Sequence, residues 1–593
     1  MTDTILHRLH ENGRIRPNAP AYYEKIGSAW VPTSWQEYTN QVRQAARALV
    51  ALGVEPGQNV TILGFNRPEW VIFDLACMMI GGAPAGIYTT NSPAECKYIV
   101  ENSESSVILV ENQSQWDKIA EVREDIDCLK YIVLMKGTDI DDEMTLSWEA
   151  FMAKGDEVDE SIVDARMDTL EKDQLATLIY TSGTTGPPKG VMLSHENLAS
   201  TALNAQGLID LVPSDRTISY LPLSHIAEQM FSIHASITAA YQVYYAEYSP
   251  QDHLNANMKE VKPTVFFGVP RIFERLQAGV AAQLSQSTGL RAKIAEWARS
   301  VGTQVTALHN KGQEPGAFLA LQHRIADALV FSKVKEGLGL SEVRNLIVSA
   351  APISPDILHF FASLDLPILE LYGQSEDCGP STTNRPGAIK IGTVGQAWPG
   401  SEVKLASDGE ILVKGPNVFM GYFKDEDATK DTLEDGWLHS GDLGKFDEDG
   451  FLSIVGRKKE IIITSGGKNI APKNIEGALK NLDLVSQAVV IGEQRRYLTA
   501  LLTLDPDAAT KFAQEHGLEG QTLHEHPKLR EHLQKEIEEK VNSLFARVEH
   551  VRDFRVLPRD FTVEDGELTP TLKIKRRIIN ENFEDEIESM YEG

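Results

Sequence analysis

Short apolar runs alternate with longer amphipathic stretches through the first third of the chain. Asn59-Val60-Thr61-Ile62-Leu63-Gly64 reads as a strand and Arg67 to Ile80 as a helix. Ala85-Gly86-Ile87-Tyr88 reads as a strand, Ala94 to Asn102 as a helix, and Ser106-Val107-Ile108-Leu109-Val110 as a strand again. Strand–helix alternation at this pitch predicts a doubly wound α/β domain. The most apolar window, Val71 to Tyr88, contains Asp74 and two adjacent glycines. It falls short of the roughly 20 apolar residues of a membrane span and reads as a buried helix followed by a strand.

The pattern then changes three times. Residues 137–174 are acidic and poor in bulky apolar side chains, which predicts a surface wrap. Residues 271–340 are rich in Ala, Leu and Gln at helical spacing, with breaks at Ser287-Thr288-Gly289 and at Gly312 to Gly316. They predict a helical hairpin, either a solvated cover on the large domain or a membrane-contacting element. Residues 390–455 carry short β-rich segments between Gly, Asp and Asn, as in a small barrel or sandwich. From 459 to 593 the chain returns to mixed α/β with basic clusters. The expected domains are therefore a large N-terminal one over 1–458 and a smaller α+β one over 459–593.

Composition narrows the class. At 593 residues the chain exceeds one core. The net charge of −28 repels nucleic acid and anionic surfaces at long range, so an anionic ligand needs a local basic pocket. Arg457-Lys458-Lys459 and Lys573 to Arg577 are the candidates. Cys77, Cys96, Cys128 and Cys378 have neither metal spacing nor a disulfide pattern, and read as reduced thiols of a cytoplasmic protein. The opening residues lack a long apolar core, which predicts no secretory leader.

The richest chemistry lies in Tyr180-Thr181-Ser182-Gly183-Thr184-Thr185-Gly186-Pro187-Pro188-Lys189-Gly190, directly after the apolar run 175–179. Backbone N–H groups, hydroxyls and one cation together are what hold a polyphosphate. The order of Gly and Lys is not that of a Walker A loop. Taken alone, such a stretch could equally be a solvated turn.

Six motifs in order resemble the adenylate-forming superfamily of acyl-CoA synthetases, luciferases and peptide-synthetase adenylation domains. The first is the loop just quoted. Leu371-Tyr372-Gly373-Gln374-Ser375-Glu376 is similar to the family's adenine and magnesium motif, and Gly436 to Asp442 to its ribose motif. Gly456-Arg457-Lys458-Lys459-Glu460 resembles the interdomain hinge, and Ser465 to Ile470 the loop behind it. Leu568-Thr569-Pro570-Thr571-Leu572-Lys573-Ile574-Lys575-Arg576-Arg577 resembles the C-terminal catalytic-lysine motif.

The resemblance implies ATP, Mg²⁺ and coenzyme A as co-substrates and a mobile C-terminal lid. It implies Thr181, Ser182, Gly183, Thr184, Thr185 and Lys189 around the phosphates, with Glu376 and Thr185 as metal ligands. Ala351 and Pro352 would approach one face of adenine, and Tyr372 with Gly373 the other. Asp442 and Arg457 would take the ribose, Lys459 the hinge, and Gly466 with Gly467 the thiol tunnel, unless those two form only a tight turn. Lys573 would be the catalytic lysine, with Lys575 close enough to compete for the role.

Within the superfamily the chain looks most like bubblegum-type long-chain fatty acyl-CoA synthetases. The residues that carry this are Gly86 to Pro93, Leu221-Pro222-Leu223-Ser224-His225-Ile226-Ala227 and Gly268 to Glu274. His225 stands where the family places a residue near the acyl carboxylate; a helix-capping histidine is the alternative. The Trp that gates the acyl tunnel in some relatives is absent from Glu228-Gln229-Met230-Phe231. The implied partners are fatty acid, ATP and CoA, with no nucleic acid, peripheral membrane contact left open, and a monomer or homodimer. A fatty acyl-AMP ligase is the nearest competing reading, but Glu460 runs into Ile461 without the insertion those enzymes carry behind the hinge. A synthetase for another hydrophobic acid and a non-catalytic lipid-binding protein are the others.

Overall fold

The computed structural model describes residues 3–181, 187–246, 250–569 and 573–592, the side chains of 250–252 excepted. The chain divides into two compact units. One comprises Met1–Ala351, Pro355–Lys404 and Leu412–His439; the other comprises Pro352–Ser354, Leu405–Ile411 and Ser440–Gly593.

The largest sheet of the first unit has eight strands, in the order Gly421–Tyr422, Lys189–Ser194, Leu175–Thr181, Ala83–Ile87, Asn59–Leu63, Val107–Val110, Tyr131–Leu134, Thr145–Ser147. Neighbours from Leu175–Thr181 onward are parallel, and the two strands before it run antiparallel. Every residue of Asn59–Leu63 and Ala83–Ile87 is buried, as is all of the helix Pro68–Met79 between them. Burial on all sides is why these segments carry no polar face, and it makes 71–88 a core helix and strand, as expected. Among the described residues no helix is long and apolar enough to cross a membrane. In a second sheet Val265–Gly268, Asn345–Val348 and Ile368–Tyr372 are parallel. A third joins Arg216–Ser219, Gln242–Tyr245, Pro20–Ile26 and Ala29–Ser34.

Two expectations need correcting. The acidic stretch 137–174 is not a simple wrap: it supplies the edge strand Thr145–Ser147 and the helices Trp148–Lys154 and Glu160–Asp168. Two buried aromatics suffice to anchor it, since Trp148 and Phe151 lie 5.5 Å apart and Phe151 packs 5.6 Å from Phe73. Residues 271–340 form more than a hairpin. Helices Pro270–Ser285, Leu290–His309 and Ala317–Ala326 are followed by a π-helical turn, Asp327–Phe331, and by Ser332–Leu338.

In the second unit Leu498–Leu504 lies between Val485–Ile491, antiparallel, and Val551–Val556, parallel. Alternation sends Ala488, Val490 and Leu502 to one face, against Ile475, Leu479, Leu529 and Leu533. Val489 and Leu501 face the other way, against Ile579 and Phe583.

Candidate active site

The strands that flank the Ser/Thr/Gly-rich stretch pair antiparallel, with Tyr180 opposite Gly190 and Thr181 opposite Lys189. Ser182, Gly183, Thr184 and Thr185 lie outside the described residues. At the exit of the loop, Lys189 Nζ stands 4.9 Å from the centre of the Tyr422 ring and 3.7 Å from Asp425 Oδ2. The strand Gly421–Tyr422 pairs with Lys189–Ser194, and the Tyr422 hydroxyl donates to Glu376 Oε1 at 2.8 Å. Lys189 and Glu376 are thus brought together through Tyr422, which the sequence reading does not single out. Burial, and then the Glu376 carboxylate, raise the Tyr422 phenol far above its ordinary value, so it stays a donor.

Glu376 sits in the 3₁₀ turn Ser375–Asp377, directly after the strand Ile368–Tyr372. Buried Asp377 pins that turn, accepting from Gln374 N at 2.7 Å and Ser381 Oγ at 2.6 Å. Gly373 has no substitute here, because a Cβ would stand 1.4 Å from the Gly379 carbonyl oxygen. Among the described residues no three His, Cys, Asp or Glu side chains converge as a metal cage. The one hard carboxylate of Glu376, with Lys189 on the far side of Tyr422, fits Mg²⁺, which takes its remaining oxygens from water and phosphate.

Strands Asn345–Val348 and Ile368–Tyr372 run parallel with Val348 opposite Glu370, so their carboxyl ends lie side by side. Ser349 Oγ donates across them to the Leu371 carbonyl at 2.9 Å. Ala350 follows with φ +72°, a left-handed conformation that costs a non-glycine residue about 1–3 kcal/mol. Ala351 and Pro352 are exposed, and Tyr372 is buried. Carboxyl ends of parallel strands are where open α/β sheets take ligands.

His225 begins the short helix Ile226–Gln229, and its Nδ1 accepts the Ala227 N–H at 3.2 Å. His225 therefore caps this helix through Nδ1. That cap also assigns the proton of the neutral ring to Nε2, making Nε2 a donor. Close approach of this loop to the large sheet depends on Gly86, where a Cβ would meet Ser224 Cα at 2.8 Å. Behind it, fully buried Glu228 accepts from Ser219 Oγ at 2.7 Å and Ser232 Oγ at 2.5 Å. Burial pushes its carboxyl up to about 7.

In the second unit the hairpin of Trp437–Phe446 and Leu452–Arg457 sets Asp442 opposite Arg457, whose Nε stands 3.1 Å from Asp442 Oδ1. Asp442 is buried. Glu410, also missed by the sequence reading, accepts from Gly441 N at 3.0 Å and from Lys458 Nζ at 2.9 Å. It thereby fixes the turn just before Asp442 and the residue just after Arg457.

Lys459 lies in the 3₁₀ turn Lys458–Glu460. Gly466 and Gly467 close the turn between Ile462–Ile463 and Asn469–Ile470, and only Gly467 of the two has a left-handed φ, +72°. Leu568 pairs with Ile574, Thr569 N donates to the Lys573 carbonyl at 2.8 Å, and Lys573 N donates to Thr569 Oγ1 at 3.0 Å. Lys573 is exposed, while Lys575 occupies the position before the helix Arg576–Asn582 without a side-chain cap. Fully buried Glu567 holds the base of this loop through paired bonds from Arg559 at 2.7 and 2.8 Å. Burial pushes the Glu567 carboxyl up, but Arg559, Asn582 and Thr562 N outweigh it and leave it below its ordinary value.

Comparison with known proteins agrees in extent with this arrangement. Residues 9–423 match the model of the AMP-binding enzymes, and residues 459–593 that of the AMP-binding enzyme C-terminal domain. The long-chain-fatty-acid–CoA ligase ACSBG2 of Xenopus laevis is 38% identical over 604 residues, covering 96% of this chain and 81% of that protein. The long-chain-fatty-acid–CoA ligase FadD15 of Mycobacterium bovis is 35% identical, covering 99% of this chain and 97% of that protein. Among solved structures, the adenylation domain of a carboxylate reductase from Mycobacterium chelonae aligns with a TM-score of 0.75 at 22% identity, over 100% of this chain and 91% of that one. ATP-bound MatB from Rhodopseudomonas palustris aligns at 0.70 and 23%, over 99% of each chain. The two structures speak for the fold alone; the family models and the near-full-length relatives go further, and by them this chain belongs to the AMP-binding, adenylate-forming enzymes.

Proposed function

We propose that the chain is a long-chain fatty acid–CoA ligase that forms AMP. The observation that carries this is similarity along nearly the whole chain to ligases of that name, together with the Lys189–Tyr422–Glu376 and Asp442–Arg457 constellations. A fatty acid carboxylate attacks the α-phosphorus of ATP, the bond to pyrophosphate breaks, and acyl-AMP forms. The thiol of CoA then gives up its proton and attacks the acyl carbonyl, and AMP leaves.

Both steps bring anions together, so positioning and charge neutralisation do most of the work. In this reading Lys189 and the loop Thr181–Thr185 hold the phosphates. Glu376, with Thr185, would hold Mg²⁺, which supplies charge neutralisation at the phosphates. Tyr372, Gly373, Ala351 and Pro352 enclose adenine, and Asp442 accepts from the ribose hydroxyls with Arg457 beside it. His225 donates through Nε2 toward the acyl carboxylate. Lys573 bridges that carboxylate and the phosphate, and residues 459–593 turn as a lid about Lys459 so that the thiol enters past Gly466 and Gly467. We place the reaction in the cytoplasm, in keeping with four free thiols.

Separate half-reactions test the reading. Lys573→Ala should slow ATP–pyrophosphate exchange on the order of 10²–10³-fold, as loss of a transition-state donor does, yet still convert supplied acyl-AMP to thioester. Lys459→Pro should do the reverse, since proline fixes φ near about −65° where a hinge must turn. Release of ADP in place of AMP, or equal loss of both halves in both folded variants, would overturn it.

A further inference from the structure

Fifteen large hydrophobic side chains stand exposed among the described residues, and four of them share one twelve-residue stretch. Phe318 is 74% exposed, Leu321 55%, and Ile325 and Leu329 44% each. Their spacing of three, four and four puts them in single file on one face of Ala317–Ala326 and the π-helical turn after it. The opposite face has its own partners: Ala326, Val330 and Phe331 are buried, while Ala298, Val301 and Val305 of Leu290–His309 are buried in turn. The π-helical turn buries both Val330 and Phe331 while keeping Leu329 outside. Helical packing therefore accounts for the inner face and leaves the outer file unexplained.

Charge supplies the second observation. Residues 271–340 contain nine Lys and Arg against five Asp and Glu, net +4, in a chain of net −28. Exposed Arg324 and Lys333 border the file, with half-buried Asp327 and exposed Glu336 in the same stretch, and exposed Arg291 and Lys293 follow Leu290, itself 74% exposed. An anionic surface repels the rest of the chain and attracts this segment, so the field turns the apolar file toward that surface.

We propose that this helical face docks the protein on an anionic lipid bilayer. Phe318, Leu321, Ile325 and Leu329 enter the headgroup–acyl boundary, and Arg324 and Lys333 lie along it with their charged ends among the phosphates. The exposed apolar area is on the order of 400 Å², as much as an ordinary monomer's largest patch. It is about half of what one partner buries in a standard protein interface. A narrow file rimmed by long basic side chains suits a fluid lipid surface better than a second protein. The proposal does not depend on the reaction assigned above.

The test is pelleting of the full chain with vesicles of phosphatidylcholine containing about one-third phosphatidylglycerol, and with phosphatidylcholine alone, at low and high salt. The protein should pellet with the anionic vesicles and be released by salt. Combined Phe318→Ser, Leu321→Ser and Ile325→Ser should weaken association about tenfold or more. Combined Arg324→Glu and Lys333→Glu should remove the preference for anionic vesicles. Both variants should keep the circular dichroism spectrum and urea midpoint of the unmodified protein, which shows that they fold. Leu321→Trp should give emission that shifts to the blue on vesicle addition. Failure of the unmodified protein to pellet, or equal pelleting by the triple-serine variant, would overturn the proposal. So would a triple-serine variant whose only change is a fall from dimer to monomer in sedimentation, since the face would then belong to a second copy.

Discussion

Glu376 of the first unit and Asp442 of the second are both carboxylates that the sequence motifs single out, yet opposite kinds of neighbour meet them. A neutral phenol, Tyr422, donates to Glu376, whereas the Arg457 guanidinium stands against Asp442. The phenol satisfies a lone pair and leaves the full negative charge, which suits a carboxylate that must attract a cation. The guanidinium offsets the charge and fixes the orientation, which suits a carboxylate that must accept from neutral hydroxyls. Residue type alone treats them alike; the neighbour tells them apart.

The largest expected effect tests the uncompensated member. Glu376→Gln keeps shape and hydrogen bonding but removes the charge. Exchange of pyrophosphate into ATP should slow on the order of 10²–10³-fold, with the Mg²⁺ midpoint moved to higher concentration. An unchanged midpoint would mean that Glu376 is not the metal carboxylate.

Glu228 extends the comparison to a carboxyl that is fully buried and met by serine hydroxyls. Its pKa rises from the ordinary 4.5 to about 7 through burial. Below 4.5 the folded and unfolded chains both hold the proton, and the contribution is flat. Between 4.5 and about 7 only the folded chain keeps it, so stability falls as pH rises, by about 3 kcal/mol over the window. Glu228→Gln should make the slope shallower by that share, the rest belonging to Asp74 and Glu370, which burial raises to about 8 in the same unit. The check is the urea midpoint of the first unit's transition at about pH 5 and about pH 8; a slope as steep as that of the unmodified protein would show that Glu228 does not titrate there.

Asp442→Ala should have the smallest effect of the three. Losing charge-assisted bonds worth about 1.5–3 kcal/mol weakens ATP roughly 10- to 100-fold by calorimetry. The Mg²⁺ midpoint should stay in place. If it moved as in Glu376→Gln, the contrast between the two carboxylates would collapse.

Much of this was legible in the sequence, because what it required was local. The parallel strands announce themselves as apolar runs, and Gly373 and Glu376 fall within one six-residue motif. Tyr422 and Glu410 were not legible, for a physical reason. Tyr422 reaches Glu376 across 46 positions because Gly421–Tyr422 pairs with the strand Lys189–Ser194. Glu410 reaches Lys458 across 48 positions. A phenol or carboxylate whose role is set by strand register leaves no pattern around itself. The acidic stretch 137–174 misled for a related reason: its average composition concealed the two aromatics that hold it.

The loop around Lys573 has a consequence for timing. Its backbone is tied to Thr569 in both directions, and the loop is closed by Leu568 and Ile574 above buried Glu567. A lysine mounted on a free strand could come and go on the picosecond-to-nanosecond clock of exposed side chains. Here the backbone is clamped while the side chain is exposed, so the ammonium keeps the fast clock for its own reorientation. Any displacement beyond the side chain's reach requires the body that carries it to move, on the microsecond-to-millisecond clock of domains. If Lys573 serves the first half-reaction, its exchange for the incoming thiol keeps the slower of these two clocks, and the barrier to moving its carrier, not the reach of the side chain, sets the interval between steps.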